Sequence, residues 1–144
     1  LVHGTSRDDK CWPEPHWLEL GQRLIAQGFT LGLPHGSDAE RARCERLAAS
    51  LGAAAQVWPR LDLGRLTDRL AGCEGAIGVD SGLSHVAVAL GLPHVQLYNF
   101  PTAWRTGPQA AHGHRHQMSV EGRPAPSLEA VWSAWNTVHD AAVS

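Results

Sequence analysis

The sequence predicts an α/β fold in which a parallel sheet carries helices on both faces. Short apolar runs typical of buried strands alternate with longer amphipathic stretches typical of helices. Strands that alternate with helices at this spacing pair in parallel, because each crossover places a helix against the sheet. Hydrophobic residues make up 43% of the 144 residues and charged residues 18%, which indicates one globular domain rather than a disordered chain.

The first elements follow from apolar patterning and from helix-end residues. Residues 1–3 are predicted to form a strand that runs directly into a loop. Residues 15–27 follow as a helix, because Pro15 suits its first turn and large apolar residues recur on one face. Gly28 ends this helix, and the apolar run of residues 29–33 predicts the second strand.

The later elements repeat the same alternation. Ser37 begins a helix that runs to about residue 51, and Gly52 ends it. The further predicted elements are a weak strand over 54–57, a helix over 63–71, a strand over 76–79, a helix over 82–90 and a strand over 94–98. Residues 99–126 are polar and rich in glycine, proline and histidine, so we predict mostly loop, before Ser127 begins a last helix to about residue 142.

Charge and cysteine content exclude several classes of protein. The net charge is −2 and the pI about 6.5, so nothing attracts the chain generally to nucleic acid or to an anionic membrane, and any phosphate site must be local. Cys11, Cys44 and Cys73 form no CxxC pair, which favours free thiols in a reducing compartment. No signal peptide and no apolar run of about 18 residues is visible. The chain opens within a predicted strand and without an initiator Met, so we expect a piece of a longer protein.

In a doubly wound sheet, ligands bind beyond the carboxyl ends of the strands, so the segments that follow strands matter most. The first such segment, residues 4–13, offers the hydroxyls of Thr5 and Ser6 and the cation of Lys10 for phosphate oxygens. The alternative is a solvated polar loop with Asp8 and Asp9 as turn formers. Two adjacent carboxylates point apart, which disfavours a metal site here.

The second segment, residues 78–85, passes from a strand through a turn of small residues into a helix. The unpaired amides of Ser81, Gly82 and Leu83 and the positive end of the helix predict an anion site. His85 falls in the first turn, from which its ring can reach the same ligand. The alternatives are that Asp80 and Ser81 simply cap the helix and that His85 packs against neighbours.

The third segment, residues 34–40, allows two interpretations of Glu40. Together with Ser37 it matches a capping box, which would make it a structural residue. It also places a carboxylate beyond the second strand, where Rossmann-like folds hold the ribose hydroxyls of a nucleotide.

Other motifs narrow the choice of function. No GxGxxG follows the first strand and no Walker lysine motif is present, which argues against a dinucleotide dehydrogenase or a P-loop enzyme. His112, His114 and His116 alternate in the long loop, where a solvated segment is favoured over a zinc site because no further ligand is evident.

Four motifs occur together and in a specific order. They are residues 5–13 with Trp17, residues 33–36 with Glu40, residues 79–85, and residues 105–108. This combination resembles the ADP-heptose:lipopolysaccharide heptosyltransferase family, and most of all its members that add the first heptose. The resemblance implies that residues 1–144 are the Rossmann-like C-terminal, donor-binding half of a GT-B fold, with the N-terminal acceptor domain absent.

The resemblance also implies a role for each matching residue. Thr5, Ser6 and Lys10 would contact the donor diphosphate, with Lys10 stabilising the leaving group. Glu40 would hold the ribose, Asp80 would bind the heptose, and Ser81, Gly82 and His85 would line the pocket. The catalytic base would be a carboxylate of the N-terminal domain, which this chain lacks.

The implied reaction uses ADP-heptose as donor and Kdo-lipid A as acceptor, with no metal, no cofactor and no nucleic acid. The enzyme would be cytoplasmic, at the cytoplasmic face of the inner membrane. Two departures from the family pattern stand out: Ser81 where Thr is frequent, and residues 99–104 in place of a more usual Gly-Pro-Thr-Asp-Pro. The alternatives are a second-heptose transferase, a nucleotide-sugar epimerase that uses a uridine donor, and a non-catalytic nucleotide-binding module.

Overall fold

The computed structural model describes residues 1–4, 10–79, 81–99, 117–122 and 125–143. In chain order the elements are α1 (Glu14–Ala26), β1 (Leu31–Leu33), α2 (Asp38–Leu51), β2 (Ala55–Val57), α3 (Leu63–Ala71), β3 (Ala76–Val79), α4 (Gly82–Ala89), β4 (His94–Tyr98), β5 (Gln117–Glu121) and α5 (Leu128–Val143). The predicted helices are confirmed to within one or two residues at each end.

The strands pair in parallel in two groups. One group has the order β1-β2 and the other the order β3-β4-β5. Residues 1–3 lie between the groups and connect them. Val2 pairs in parallel with Gly78 of β3, and the Leu1 amino group donates to the Gly32 carbonyl of β1 at 2.9 Å. The spatial order is therefore β2, β1, residues 1–3, β3, β4, β5, which is the doubly wound order with its switch point between residues 1–3 and β3.

Helices cover both faces of this sheet, as predicted. One face packs against α1, α2 and α5 and forms the larger core, to which β3 and β4 contribute Ile77, Val79, Val95 and Leu97. The other face packs against α3 and α4 around a smaller cluster that includes Ala76. Strand side chains alternate between the faces, so odd-numbered residues of β3 and β4 enter the larger core.

The smaller face also carries a buried polar row along β4. His94 Nδ1 lies 3.1 Å from the Ala76 carbonyl oxygen and His94 Nε2 lies 3.2 Å from Gln96 Oε1. The Gln96 amide in turn donates to the Tyr98 hydroxyl at 2.7 Å. Burial lowers the pKa of His94 to about 4, so the ring is neutral at physiological pH.

The structure differs from the sequence prediction in three places. β5 lies inside residues 99–126, which we predicted to be mostly loop. Residues 1–3 make a single bridge rather than a full strand, and β1 begins at Leu31 rather than at residue 29. The helix-ending glycines are confirmed: Gly28 and Gly52 have φ of 94° and 89°, a region that favours glycine.

Candidate functional site

A cavity of about 170 Å³ opens at the carboxyl edge of the sheet, at the switch point. It is lined by Val2, Gly4, Pro34, His35, Gly36, Glu40, Leu66, Ser81 and Leu83. Apart from Leu66 of α3, these residues belong to or follow residues 1–3, β1 and β3, so three of the predicted functional segments converge on one depression. This is the position where open α/β sheets bind ligands.

Glu40 has features of both predicted roles, the helix cap and the ligand-facing carboxylate. The Ser37 hydroxyl accepts from the Glu40 amide at 3.2 Å and caps α2, as predicted. The Glu40 carboxylate does not complete the capping box through the Ser37 amide but accepts from the Gly36 amide at 3.0 Å. It lies directly over Gly4, where a Cβ atom would overlap it. The helix cap therefore depends on the backbone of Glu40, and its carboxylate forms part of the cavity wall.

The start of α4 forms the opposite side of the cavity. Ser81 is the N-cap, and its hydroxyl accepts from the Ser84 amide at 3.5 Å, which confirms the capping interpretation. Gly82 is exposed, with open space where a Cβ would stand. Helix geometry leaves the remaining first-turn amides without intrahelical acceptors, so they can donate hydrogen bonds to an anion. His85 is exposed and is not among the residues that line the cavity, and its contact with a ligand stays a prediction.

Lys10 is half-buried and starts a segment that is fixed at two points. The Asn99 amide donates to the Cys11 carbonyl at 2.9 Å, and the Trp12 indole donates to the Pro126 carbonyl at 2.9 Å. The structure thus holds the backbone next to Lys10 firmly. Lys10 is not among the residues that line the cavity, so its contact with a ligand stays a prediction.

Other predicted residues lie outside the described residues. They are Thr5, Ser6, Asp8, Asp9, Asp80, Arg105 and the histidines His112, His114 and His116.

A buried pair near the cavity could suggest cysteine chemistry. His3 Nε2 lies 2.9 Å from Cys44 Sγ, and both residues are fully buried. Burial, together with the nearby Arg43, lowers the pKa of His3 to about 4, while burial raises the pKa of Cys44 to about 11. An activated thiolate needs shifts in the opposite directions, so this pair is structural. Nothing in the local sequence pattern marked His3 as a site residue.

The sequence also did not predict the apolar wall of the cavity. Pro34, Leu66 and Leu83 offer apolar surface beside Glu40 and Ser81, an arrangement that suits a ligand with one flat apolar part and several polar groups. Leu66 comes from α3, which the sequence predicted as a helix without assigning any of its residues to the site.

A larger cavity of about 350 Å³ is lined mainly by residues at the amino ends of the strands, and also by Pro34 and Trp58, which follow β1 and β2. Leu1, Leu31, Gly75 and Trp135 are among its lining residues. The smaller cavity is the better candidate, because the carboxyl edge carries the converging polar groups and the free helix terminus.

Two other features are absent from the described parts of the chain. No group of three or more His, Cys, Asp or Glu side chains is placed to hold a metal ion there. Within the same residues, no helix has the length and apolar character that a membrane crossing requires.

Known proteins resemble this chain in both sequence and structure. The model of glycosyltransferase family 9 (heptosyltransferase) matches residues 1–131. Lipopolysaccharide heptosyltransferase 1 of Pseudomonas aeruginosa is 46% identical over 98 residues, which are 68% of this chain and 27% of that protein. The Escherichia coli K12 protein of the same name is 41% identical over 98 residues, or 68% of this chain and 30% of that protein.

The structural match extends over almost the whole chain. The structure described as E. coli heptosyltransferase WaaC with ADP superposes with a TM-score of 0.82 at 31% identity, over 96% of this chain and 42% of that one. This match confirms the predicted fold class, a Rossmann-like half of a GT-B enzyme. The chain spans less than half the length of each of these relatives. By its sequence and its fold, the chain belongs to glycosyltransferase family 9, the heptosyltransferases.

Proposed function

We propose that this chain is the donor-binding half of a glycosyltransferase that transfers L-glycero-D-manno-heptose from ADP-heptose to the Kdo-lipid A inner core. The observation that carries the proposal is the cavity at the switch point, which the Glu40 carboxylate and the start of α4 line together. A carboxylate suits the paired hydroxyls of a ribose, and a helix N-terminus suits a diphosphate. Solved relatives are described with ADP and with ADP-2-deoxy-2-fluoro heptose, which supports a nucleotide-sugar ligand.

The donor would lie along the carboxyl edge of the sheet. In the proposed arrangement Glu40 holds the ribose, and the amides of Ser81 and Gly82 bind the diphosphate together with Lys10. Thr5 and Ser6 contact the same diphosphate, Asp80 hydrogen-bonds the heptose, and His85 contributes to the pocket. The apolar side chains beside Glu40 then face the nucleoside.

The reaction would be an inverting displacement. An acceptor hydroxyl loses its proton to a carboxylate base, which we expect in the acceptor domain outside this chain, and attacks the anomeric carbon. The bond to the ADP oxygen breaks, and ADP gains negative charge. Lys10 and the α4 amides stabilise that charge more strongly in the transition state than in the bound donor, without a metal.

Transfer of the first heptose is favoured over transfer of the second. The E. coli heptosyltransferase 1 is 41% identical over 98 residues, whereas the E. coli heptosyltransferase 2 is 33% identical over 118 residues. We also place the enzyme in the cytoplasm, at the cytoplasmic face of the inner membrane. Cell fractionation tests that placement, and recovery in the periplasm would contradict it.

Ligand-dependent melting separates this function from its alternatives. A ligand that binds only the folded state raises the melting temperature. We expect ADP to stabilise the chain and UDP to leave it unchanged. Stabilisation by UDP alone would favour an epimerase, and no effect from either would favour an interaction module.

A product assay tests the division of labour between the two domains. The 144-residue chain, mixed with ADP-heptose and Kdo-lipid A, is expected to bind donor and to form no product. Restoring the acceptor domain in one polypeptide should restore transfer. Steady turnover by the 144-residue chain, abolished in Asp80→Asn, would show that the base lies in this half.

A further inference from the structure

Two hydrogen bonds fix the backbone that follows Lys10, and they come from distant parts of the chain. Asn99 Nδ2 donates to the Cys11 carbonyl across a separation of 88 residues. Trp12 Nε1 donates to the Pro126 carbonyl across 114 residues. The segment that precedes α1 is thereby tied to the residue that follows β4 and to the segment that precedes α5.

The two ties differ in character. Trp12 is 2% exposed and packs edge-on against Trp17, with ring centroids 4.8 Å apart, so it belongs to the larger core and its loss would affect the whole fold. Asn99 is only partly buried and follows β4 at the carboxyl edge, where the candidate site lies. Its amide contacts the backbone one residue from Lys10 and contributes nothing to the apolar clusters.

The strand that Asn99 follows, β4, is itself held firmly. The side chains of His94, Gln96 and Tyr98 form the buried polar row along β4, and β4 pairs on both sides, with β3 and with β5. A side chain placed at the end of a fully paired strand is a more precise anchor than one within a loop.

We propose that Asn99 is a positioning residue for Lys10. By holding the Cys11 carbonyl, it keeps the backbone at Lys10 in the place from which the ammonium group reaches the donor diphosphate. This inference rests on the proposed function, from which it takes the contact between Lys10 and the diphosphate. A backbone fixed before binding loses less conformational freedom when the ligand arrives, and this strengthens the contact.

A double-mutant cycle tests the proposal. ADP and adenosine are titrated by calorimetry into the wild-type chain, Asn99→Ala, Lys10→Ala and the double variant. Coupled neighbours give non-additive effects, so we expect Asn99→Ala to weaken ADP binding about fivefold when Lys10 is present and not at all when it is absent. Adenosine has no phosphate, and its affinity should not respond to Asn99→Ala in either background.

Two further variants make the result decisive. Asn136→Ala removes a bond of the same kind, from Asn136 Nδ2 to the Trp132 carbonyl at 3.0 Å within α5, and should leave ADP affinity unchanged. Asn99→Gly is run in parallel, and a folded protein is expected because Asn99 is only partly buried and belongs to neither apolar cluster.

The outcomes separate the inference from the function on which it rests. An equal loss of ADP affinity with and without Lys10, or an equal loss for adenosine, would overturn the role of Asn99 and leave the function standing. Absence of ADP binding by the wild-type chain would overturn the proposed function, and the role of Asn99 with it.

Discussion

Replacing Glu40 by glutamine separates its contact with α2 from its proposed contact with ribose. The cap of α2 uses the Glu40 amide and the Ser37 hydroxyl, and neither changes in Glu40→Gln. The glutamine oxygen can still accept from the Gly36 amide, which the carboxylate now does at 3.0 Å. The variant therefore removes a charge from the cavity wall while keeping the shape and the local hydrogen bonds.

The expected magnitudes follow from these contacts. Hydrogen bonds to a charged group contribute about 1.5–3 kcal/mol and those between neutral groups about 0.5–1.5 kcal/mol, so we expect ADP binding to weaken by about 1–2 kcal/mol. That range corresponds to about a five- to thirtyfold change in Kd. Removing a carboxylate from the first turn of an exposed helix costs only about 0.3–1 kcal/mol of stability. The melting temperature of a domain this size should then fall by roughly 1–4 °C.

Asp38→Asn is the matched control, since Asp38 also lies in the first turn of α2. Asp38 is exposed and is not among the residues that line the cavity. The Asp38→Asn variant should therefore lose about as much stability as Glu40→Gln but keep its ADP affinity. Calorimetric titration with ADP and a thermal melt are run on both variants. If the two variants lose the same ADP affinity, or if Glu40→Gln loses none, Glu40 is a helix residue and not a ligand contact.

Three further predictions use other parts of the molecule. Lys10→Ala should weaken ADP binding by about 1.5–3 kcal/mol in a titration, and unchanged affinity with an intact fold would remove Lys10 from the site. Gly82→Val should lose ADP affinity without losing stability, because a Cβ there meets open space in the protein but crowds an approaching phosphate; unchanged binding in a titration would place the diphosphate elsewhere. The folded-state pKa of His94, about 4, lies below its ordinary value of 6.5, so stability is full above pH 6.5 and is lost as the pH falls toward 4. Urea denaturation at pH 7 and pH 5 should differ by about 2 kcal/mol from His94 alone, and a His94→Gln variant with an undiminished pH dependence would show that other groups cause it.

The sequence predicted most elements of the fold because their patterns were long or strongly apolar. β5 was missed because Gln117–Glu121 has only Met118 and Val120 as apolar residues, within a segment rich in proline and glycine. Val120 pairs with Leu97 and packs against the larger core, while Gln117 and Ser119 pair with His94 and Gln96 and continue the polar face of β4. Tertiary contacts specify that face, and local sequence does not reveal them. The Gln117 side-chain amide, for example, donates to the Val88 and Leu92 carbonyls.

The site, like the fold, was predictable where local sequence specifies it and not where it depends on tertiary contacts. Glu40 and Ser81 could be predicted as site residues because residues that follow parallel strands converge at one edge. The structure places both on one cavity, and their contact with a ligand stays a prediction. The bond from Asn99 to Cys11 could not be predicted, since it joins segments 88 residues apart whose contact depends on the finished sheet. The capping alternative for Ser81 and the ligand hypothesis were never exclusive, because a capped helix still presents its remaining first-turn amides.

The position of residues 1–3 has a consequence for how the chain folds. The bridge from Val2 to Gly78 brings together residues far apart in sequence, and residues 1–3 are the described link in the sheet between the β1-β2 pair and the β3-β4-β5 group. During synthesis the β1-β2 pair can form early, but the bridge must wait until β3 has emerged from the ribosome. Closing so long a loop is entropically costly and slow compared with local pairing. The first and last parts of the sheet should therefore form separately and join late, which makes the switch point, and the cavity built on it, one of the last features to assemble.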